Sequence, residues 1–171
     1  MLNHTSSEPF IYKGQNFRVV QDSDVSCIRQ LVNSAYKELA DMGLNYSGTY
    51  QDEKTTRERI SKGKAYLLEK NGETIGTVIL KKANWFTQTN SAYVSQLAVR
   101  PDFKKQGIGS LLMDLCEHLA TQQAFQAIQL DTAKPATHLV TWYLKRGYKI
   151  VGETHWEGKT YESWIFEKIL I

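Results

Sequence analysis

Apolar residues recur every three or four positions at Ile28, Leu31, Val32, Ala35 and Leu39, a spacing that predicts one amphipathic helix ending near Gly43. Asp22, Ser23 and Asp24 stand just before it as N-cap candidates, and the preceding FRVV (Phe17 to Val20) reads as a short strand. A turn-rich aromatic stretch, LNYSGTYQ, leads to DEKTTRERISK, a second and mostly solvated helix that closes on Gly63. Then the period changes. AYLLEKNGETIGTVILKK holds two β-rich runs around Asn71-Gly72, a dipeptide that accepts the positive φ angles of a tight hairpin. A polar tip, ANWFTQTN, separates it from a further strand, SAYVSQLAV. Helical spacing returns with Ile108, Leu111, Leu112, Leu115, Cys116 and Leu119. FQAIQLD reads as a strand, ATHLVTWYLKR as a helix closing on Gly147, and YKIVGETHW and TYESWIFEKIL as two final strands.

This order predicts a mixed α/β fold of about seven strands and about four helices. The early strands are joined by hairpins and so pair antiparallel, whereas the later strand–helix–strand passage implies one parallel crossover. A chain of 171 residues fits a single domain over 1–171, with residues 1–12 as a candidate extra N-terminal segment.

Composition narrows the class. The net charge of +3 comes from dispersed basic residues, which argues against a nucleic-acid surface. The start, MLNHTSSEPF, has no signal-peptide pattern and no apolar run reaches membrane length, so a soluble cytoplasmic protein is expected. Cys27 and Cys116 each fall on the apolar side of a predicted helix and have no metal-ligand spacing; two buried thiols, and no metal, are expected.

The candidate chemistry lies in LAVRPDFKKQGIGSLLMDL, Leu97 to Leu115, where two lysines and a G-x-G pair stand at the mouth of a helix. Backbone N–H groups from Gln106 to Ser110 can converge on a phosphate there, because small residues let it approach and the helix dipole attracts it. Lys104 and Lys105 add charge at the rim. A P-loop needs a lysine after its last glycine, and Ser110 follows Gly109. A dinucleotide fingerprint needs a third glycine where Leu112 stands, although Asp131 at the end of IQLD would suit its acid. Taken alone, the stretch is equally compatible with a plain strand–turn–helix connection carrying solvated lysines.

The stretch LAVRPDFKKQGIGSLLM resembles the signature of the GNAT superfamily of N-acetyltransferases. Lys104-Lys105-Gln106-Gly107-Ile108-Gly109 stands in the place of its R/Q-x-x-G-x-G/A pattern, with lysine where arginine or glutamine is usual. Downstream, WYLKRGYKIVG is similar to the family's helix-to-strand segment ending in Y-x-x-x-G-F/Y. The resemblance implies acetyl-CoA as acyl-donor cosubstrate, a primary amine of a small molecule, peptide or protein as acceptor, and direct attack in a ternary complex.

It implies further that Leu97, Ala98 and Val99 offer backbone groups to the pantetheine arm from a bulged, splayed strand, and that Lys104 to Ser110 hold the pyrophosphate. The Leu97 N–H would polarise the thioester carbonyl, and Tyr143 would donate a proton to the departing thiolate. As residues alone, Leu97 and Val99 are expected in the core, and Tyr143 shares a helical stripe with Leu139, Trp142 and Arg146 that would equally suit packing. Two departures stand out. Ser95 and Gln96 occupy the strand positions where many relatives carry a carboxylate base, leaving Glu153, His155 or bulk water as candidates. Ala136 replaces a common asparagine, with Thr137 or Thr132 as a substitute polar contact.

For the acceptor, Tyr46, Tyr50, Trp85 and Phe86 are candidate pocket aromatics, and Asp41, Asp52 and Glu53 candidate attractors of an ammonium. The loop aromatics would serve a homodimer contact as well. The rival expectation is a non-catalytic acyl-CoA-binding sensor or structural module on the same fold.

Overall fold

The computed structural model describes residues 8–83 and 90–170. Phe10–Tyr12 (β1) folds back on Gln15–Val19 (β2) through Lys13 and Gly14, both at positive φ (49° and 74°). The same left-handed pair, Asn71 at 52° and Gly72 at 76°, joins Lys64–Lys70 (β3) to Glu73–Lys82 (β4), as the sequence predicts. Between the hairpins lie three helices, Val25–Ala35 (α1), Lys37–Asp41 (α2) and Glu53–Ser61 (α3). Ser91–Val99 (β5), Ile108–Gln122 (α4), Ala127–Ala133 (β6), Thr137–Lys145 (α5), Lys149–Thr154 (β7) and Ser163–Ile169 (β8) follow.

The eight strands form one sheet in the order β1-β2-β3-β4-β5-β6-β8-β7. Among the described residues only β5 and β6 pair in parallel, across the α4 crossover, which is the expected parallel connection. The count exceeds seven because β1 is a true strand: what reads as an extra segment over 1–12 contributes Phe10, stacked on Phe17 at 5.9 Å. The mixed, mostly antiparallel α/β architecture is otherwise the expected one.

Helices cover both faces. Leu112, Met113, Leu115 and Cys116 of α4 pack on Val78, Leu80, Ala92 and Val94, while Ile28, Leu31 and Val32 of α1 pack on Leu67 and Ala98 from the other side. Each such side chain contributes about 1.5–3 kcal/mol on leaving water. Cys27 departs from expectation: it is exposed, since it lies about 100° around α1 from Ile28 and off the buried stripe. The predicted helix to Gly43 is also broken at Tyr36. There the Leu39 N–H bonds the Tyr36 carbonyl at 3.0 Å instead of Ala35, and the ammonium of Lys104 takes the Ala35 carbonyl at 3.1 Å.

Two features open the sheet. Gln96 sits at φ +50°, and neither it nor Leu97 has a ladder partner on β4, where Ile79 faces Ser95 and Thr77 faces Ala98. This is a bulge, and it bends β5. Moreover β5 and β6 pair only through Ser91–Tyr93 and Ala127–Gln129, after which β6 stays with β8 and the two strands part. Among the described residues no helix is long and apolar enough to cross a membrane.

Candidate active site

The gap between β5 and β6 is the mouth of a cavity of about 830 Å³. Its floor is β5 beyond the bulge, so Leu97 and Val99, expected in the core, are half-buried on the cavity wall, while Ala98 between them is buried against α1. The bulge reverses the strand's alternation at that point, which no local pattern of apolar residues encodes.

At one end stands the N-terminus of α4. Gly107, its N-cap residue, is left-handed at φ +80°, no side chain caps the helix, and a Cβ on Gly107 would meet nothing within 4 Å. A Cβ on Gly109 would make only ordinary contacts, 3.7 Å from Trp142. The first-turn N–H groups of a fifteen-residue helix are therefore left facing open space that β-carbons would narrow. A pyrophosphate fits such a cradle. Lys105, Gly107, Ile108, Gly109 and Ser110 line the cavity as expected, whereas the Gln106 side chain turns away to the Asp102 carbonyl at 3.2 Å. Lys104 also lines it, but its charge is taken: besides the Ala35 carbonyl it pairs with Glu38 at 2.9 Å, so it braces the α1–α2 kink.

Toward the other end the walls are aromatic. Tyr143 of α5 is buried, its ring against Trp142, Tyr148 and Phe166, and its hydroxyl has no hydrogen-bond partner among the described residues. Burial raises its pKa well above that of a free phenol, so it is a weaker acid than sequence alone suggests and is protonated at neutral pH. The Tyr36 hydroxyl donates to the Leu97 carbonyl at 3.1 Å. Tyr46 receives the Ala133 N–H at 2.7 Å, shares a 2.7 Å bond with Thr132, and stacks on Tyr161 at 4.9 Å. Thr132 is thereby tied to Tyr46.

The sheet supplies the acid that Ser95 and Gln96 lack. Asp131 of β6 lines the cavity, and its two oxygens accept from the Tyr93 hydroxyl and, at 2.9 Å, from the Trp156 indole. The sequence does place Asp131 at a strand end, but only the parting of β5 from β6 shows that this end faces a cavity. Gln96 instead ties the bulge to α3, donating to Gln51 at 2.6 Å, which in turn reaches Thr56 at 2.9 Å.

Other candidates lie elsewhere. Glu153 is on β7, paired with Lys134 at the surface, and His155 is exposed; neither lines the cavity. Asp41 pairs with Lys37, Asp52 caps α3 through the Thr55 N–H at 2.8 Å, and Glu53 joins them off the cavity wall. Tyr50 is exposed beside Lys159. Trp85 and Phe86 lie outside the described residues.

The chain is similar to known proteins. Residues 28–148 match the sequence profile of the acetyltransferase (GNAT) family. An S-alkylcysteine N-acetyltransferase of Bacillus subtilis (strain 168) is 28% identical over 148 residues, covering 83% of each chain. The crystal structure of the ribosomal-protein-S18-alanine N-acetyltransferase from Escherichia coli superposes with a TM-score of 0.72 at 14% identity, over 90% of this chain and 92% of that one. A GNAT family acetyltransferase from Elizabethkingia anophelis with acetyl-CoA bound has a TM-score of 0.58 at 20% identity, over 69% of this chain and 83% of that one. With its profile match spanning β3 to β6 and the helices α4 and α5 of the cavity wall, the chain belongs to the acetyltransferase (GNAT) family.

Proposed function

We propose that this protein is an N-acetyltransferase that moves an acetyl group from acetyl-CoA to a primary amine by direct attack in a ternary complex. The observation that carries the reading is the cavity itself: an uncapped helix N-terminus at one end, and a carboxylate and a protonated phenol at its walls. When bound, acetyl-CoA supplies the activated acyl group. The α4 N–H groups hold its pyrophosphate, and Leu97 to Val99 offer to its arm the backbone edge that β6 leaves unpaired. The Leu97 N–H stabilises charge on the thioester oxygen, in a peptide whose neighbouring carbonyl Tyr36 pins. Asp131, fixed by Tyr93 and Trp156, receives the amine's proton, and Tyr143 gives one to the thiolate.

A carboxylate at the cavity is a feature that a mere acyl-CoA-binding module does not need, and it favours the enzyme. One relative is named for S-alkylcysteine and a structural neighbour for an alanine of a ribosomal protein, so both acceptor classes belong in the test. The experiment incubates the protein with acetyl-CoA and a panel of amino acids, peptides and simple amines, and reads free thiol release with mass confirmation of the acetylated amine. Release with at least one amine is expected. Binding of acetyl-CoA without release on any of them would overturn the reading.

A further inference from the structure

Strand alternation puts Lys81, Tyr93 and Ser95 on the sheet face that α1 and α3 cover, and Asp131 joins them from β6. Arg59 reaches the same cavity from α3. Of the cations lining the cavity, Lys105 stands exposed at the α4 end, Lys104 is held by Glu38 and the Ala35 carbonyl, and Lys159 by the Asn45 carbonyl, Ser47 and Tyr50. Arg59 and Lys81 differ. Both are half-buried, and among the described residues neither has a hydrogen bond or an ion pair; Lys81 only lies over the Tyr93 ring, 5.0 Å from its centroid. Burial first, then the neighbouring charges of Arg59 and Lys62, hold the Lys81 pKa below its ordinary value against the opposing charge of Asp131, so the two cations feel each other. Two like charges on one cavity wall, partly dehydrated and without an ion-pair partner among the described residues, are stabilised further by an anion placed between them.

Asp131 is not that anion. Its oxygens are turned to Tyr93 and Trp156, and no ion pair joins it to either cation. The pyrophosphate cradle is not its place either. Lys81 pairs with Tyr93, and Tyr93 lies six residues before Val99, about 20 Å along β5 from the phosphate end. What remains is one negative group and two positive ones facing a common space. Lys81 and Asp131 lie on the two strands that flank β5, and both side chains line the same cavity as Arg59.

We infer that Arg59 and Lys81 form a carboxylate-binding subsite, and that the acceptor is an amino acid with a free carboxylate, its amine directed to Asp131. The inference rests on the acyl-transfer reading of the same cavity. Arg59, with its planar fork, binds the carboxylate in two-point fashion and Lys81 neutralises it as a point charge. Peptides and protein chains, whose amine is followed by an amide instead of a carboxylate, leave both cations unpaired and are poor acceptors.

The test compares each acceptor amino acid with its carboxamide on the unaltered protein, so that it needs no variant. The acid is expected to exceed the amide in kcat/KM by about 10- to 100-fold, the size of a lost hydrogen bond to a charged group. Arg59→Gln and Lys81→Met should each remove most of that preference through KM, with acetyl-CoA affinity by calorimetry unchanged. Equal rates on acid and amide overturn the carboxylate subsite and leave acyl transfer standing. Absence of thiol release with either overturns the transfer reading, and the subsite with it.

Discussion

The Tyr36 hydroxyl and the Leu97 carbonyl meet at 3.1 Å, and through them the break between α1 and α2 is fastened to the bulge of β5. The ring reaches this position because Gly48 lies beneath it: a Cβ there would stand 2.9 Å from the ring atoms. Lys104 holds the same break from the phosphate loop. The loop before α4, the helix break and the bulge therefore form one mechanical unit.

Tyr36→Phe keeps the ring and removes only this bond. It should cost about 1 kcal/mol of stability, the usual net value of such a hydrogen bond. If the bulge must hold its backbone for the reaction, kcat should also fall by about tenfold, equivalent to ~1.4 kcal/mol, with little change in acetyl-CoA affinity. Denaturant melts and steady-state kinetics on the one variant read both effects.

At the cradle, Gly109→Val should leave the fold largely intact, because a Cβ there makes contacts no closer than 3.7 Å. Its methyl groups would, however, crowd the open space before the helix N–H groups. Saturation of the unaltered protein with acetyl-CoA at a hundred times its dissociation constant should add about 2.7 kcal/mol of stability. The valine variant should lose most of that gain while melting near the parent temperature in its absence. Calorimetry with acetyl-CoA, and NADH as control, measures it; an unchanged affinity would return the loop to a plain connection.

Acid stability has a named contributor. Both oxygens of Asp24 receive Arg18, at 2.7 and 2.8 Å, and this pairing holds its pKa below the ordinary carboxylate value. A depressed folded-state pKa contributes stability that is present above the unfolded value, about 3.9, and lost as pH falls through the folded one. Asp24→Asn should therefore cost about 1–2 kcal/mol at pH 7, between exposed and fully buried pairs. As the pH falls through the folded-state value the two proteins should converge. Urea midpoints across pH 2–7 trace the difference.

How much of this the sequence carries depends on how local the cause is. The Asn71-Gly72 hairpin, the α4 stripe and the glycine pair at its start are legible because neighbouring residues alone determine them. The β1 hairpin uses the same turn geometry, but Lys13-Gly14 lacks the asparagine that announces it. The break at Tyr36 depends on Lys104, far along the chain, and a helical period is blind to that. Asp131 is the instructive case. FQAIQLD reveals a strand ending in an acid, yet its chemistry comes from Tyr93 and Trp156 and from the parting of β5 and β6. Glu153 fails for the converse reason: β7 is the edge strand, and there the carboxylate meets Lys134 in solvent.

The sharpest test falls on Tyr143. Its ring is packed by Trp142, Tyr148 and Phe166, so a phenylalanine retains every ring contact, and the melting temperature of Tyr143→Phe should barely move. The hydroxyl has no partner among the described residues, so its removal leaves no protein group unsatisfied. If it protonates the thiolate, kcat should fall by about 10²-fold or more while acetyl-CoA affinity is unchanged, because the interaction belongs to the transition state. Burial makes this phenol a weak acid, and proton transfer must then accompany departure of the thiolate. A second readout follows. An acetyl thioester of a more acidic thiol needs less help in leaving and should recover much of the variant's lost rate. A merely structural tyrosine predicts no such recovery, and full activity of Tyr143→Phe with acetyl-CoA would rule out the acid role and leave water as the proton donor.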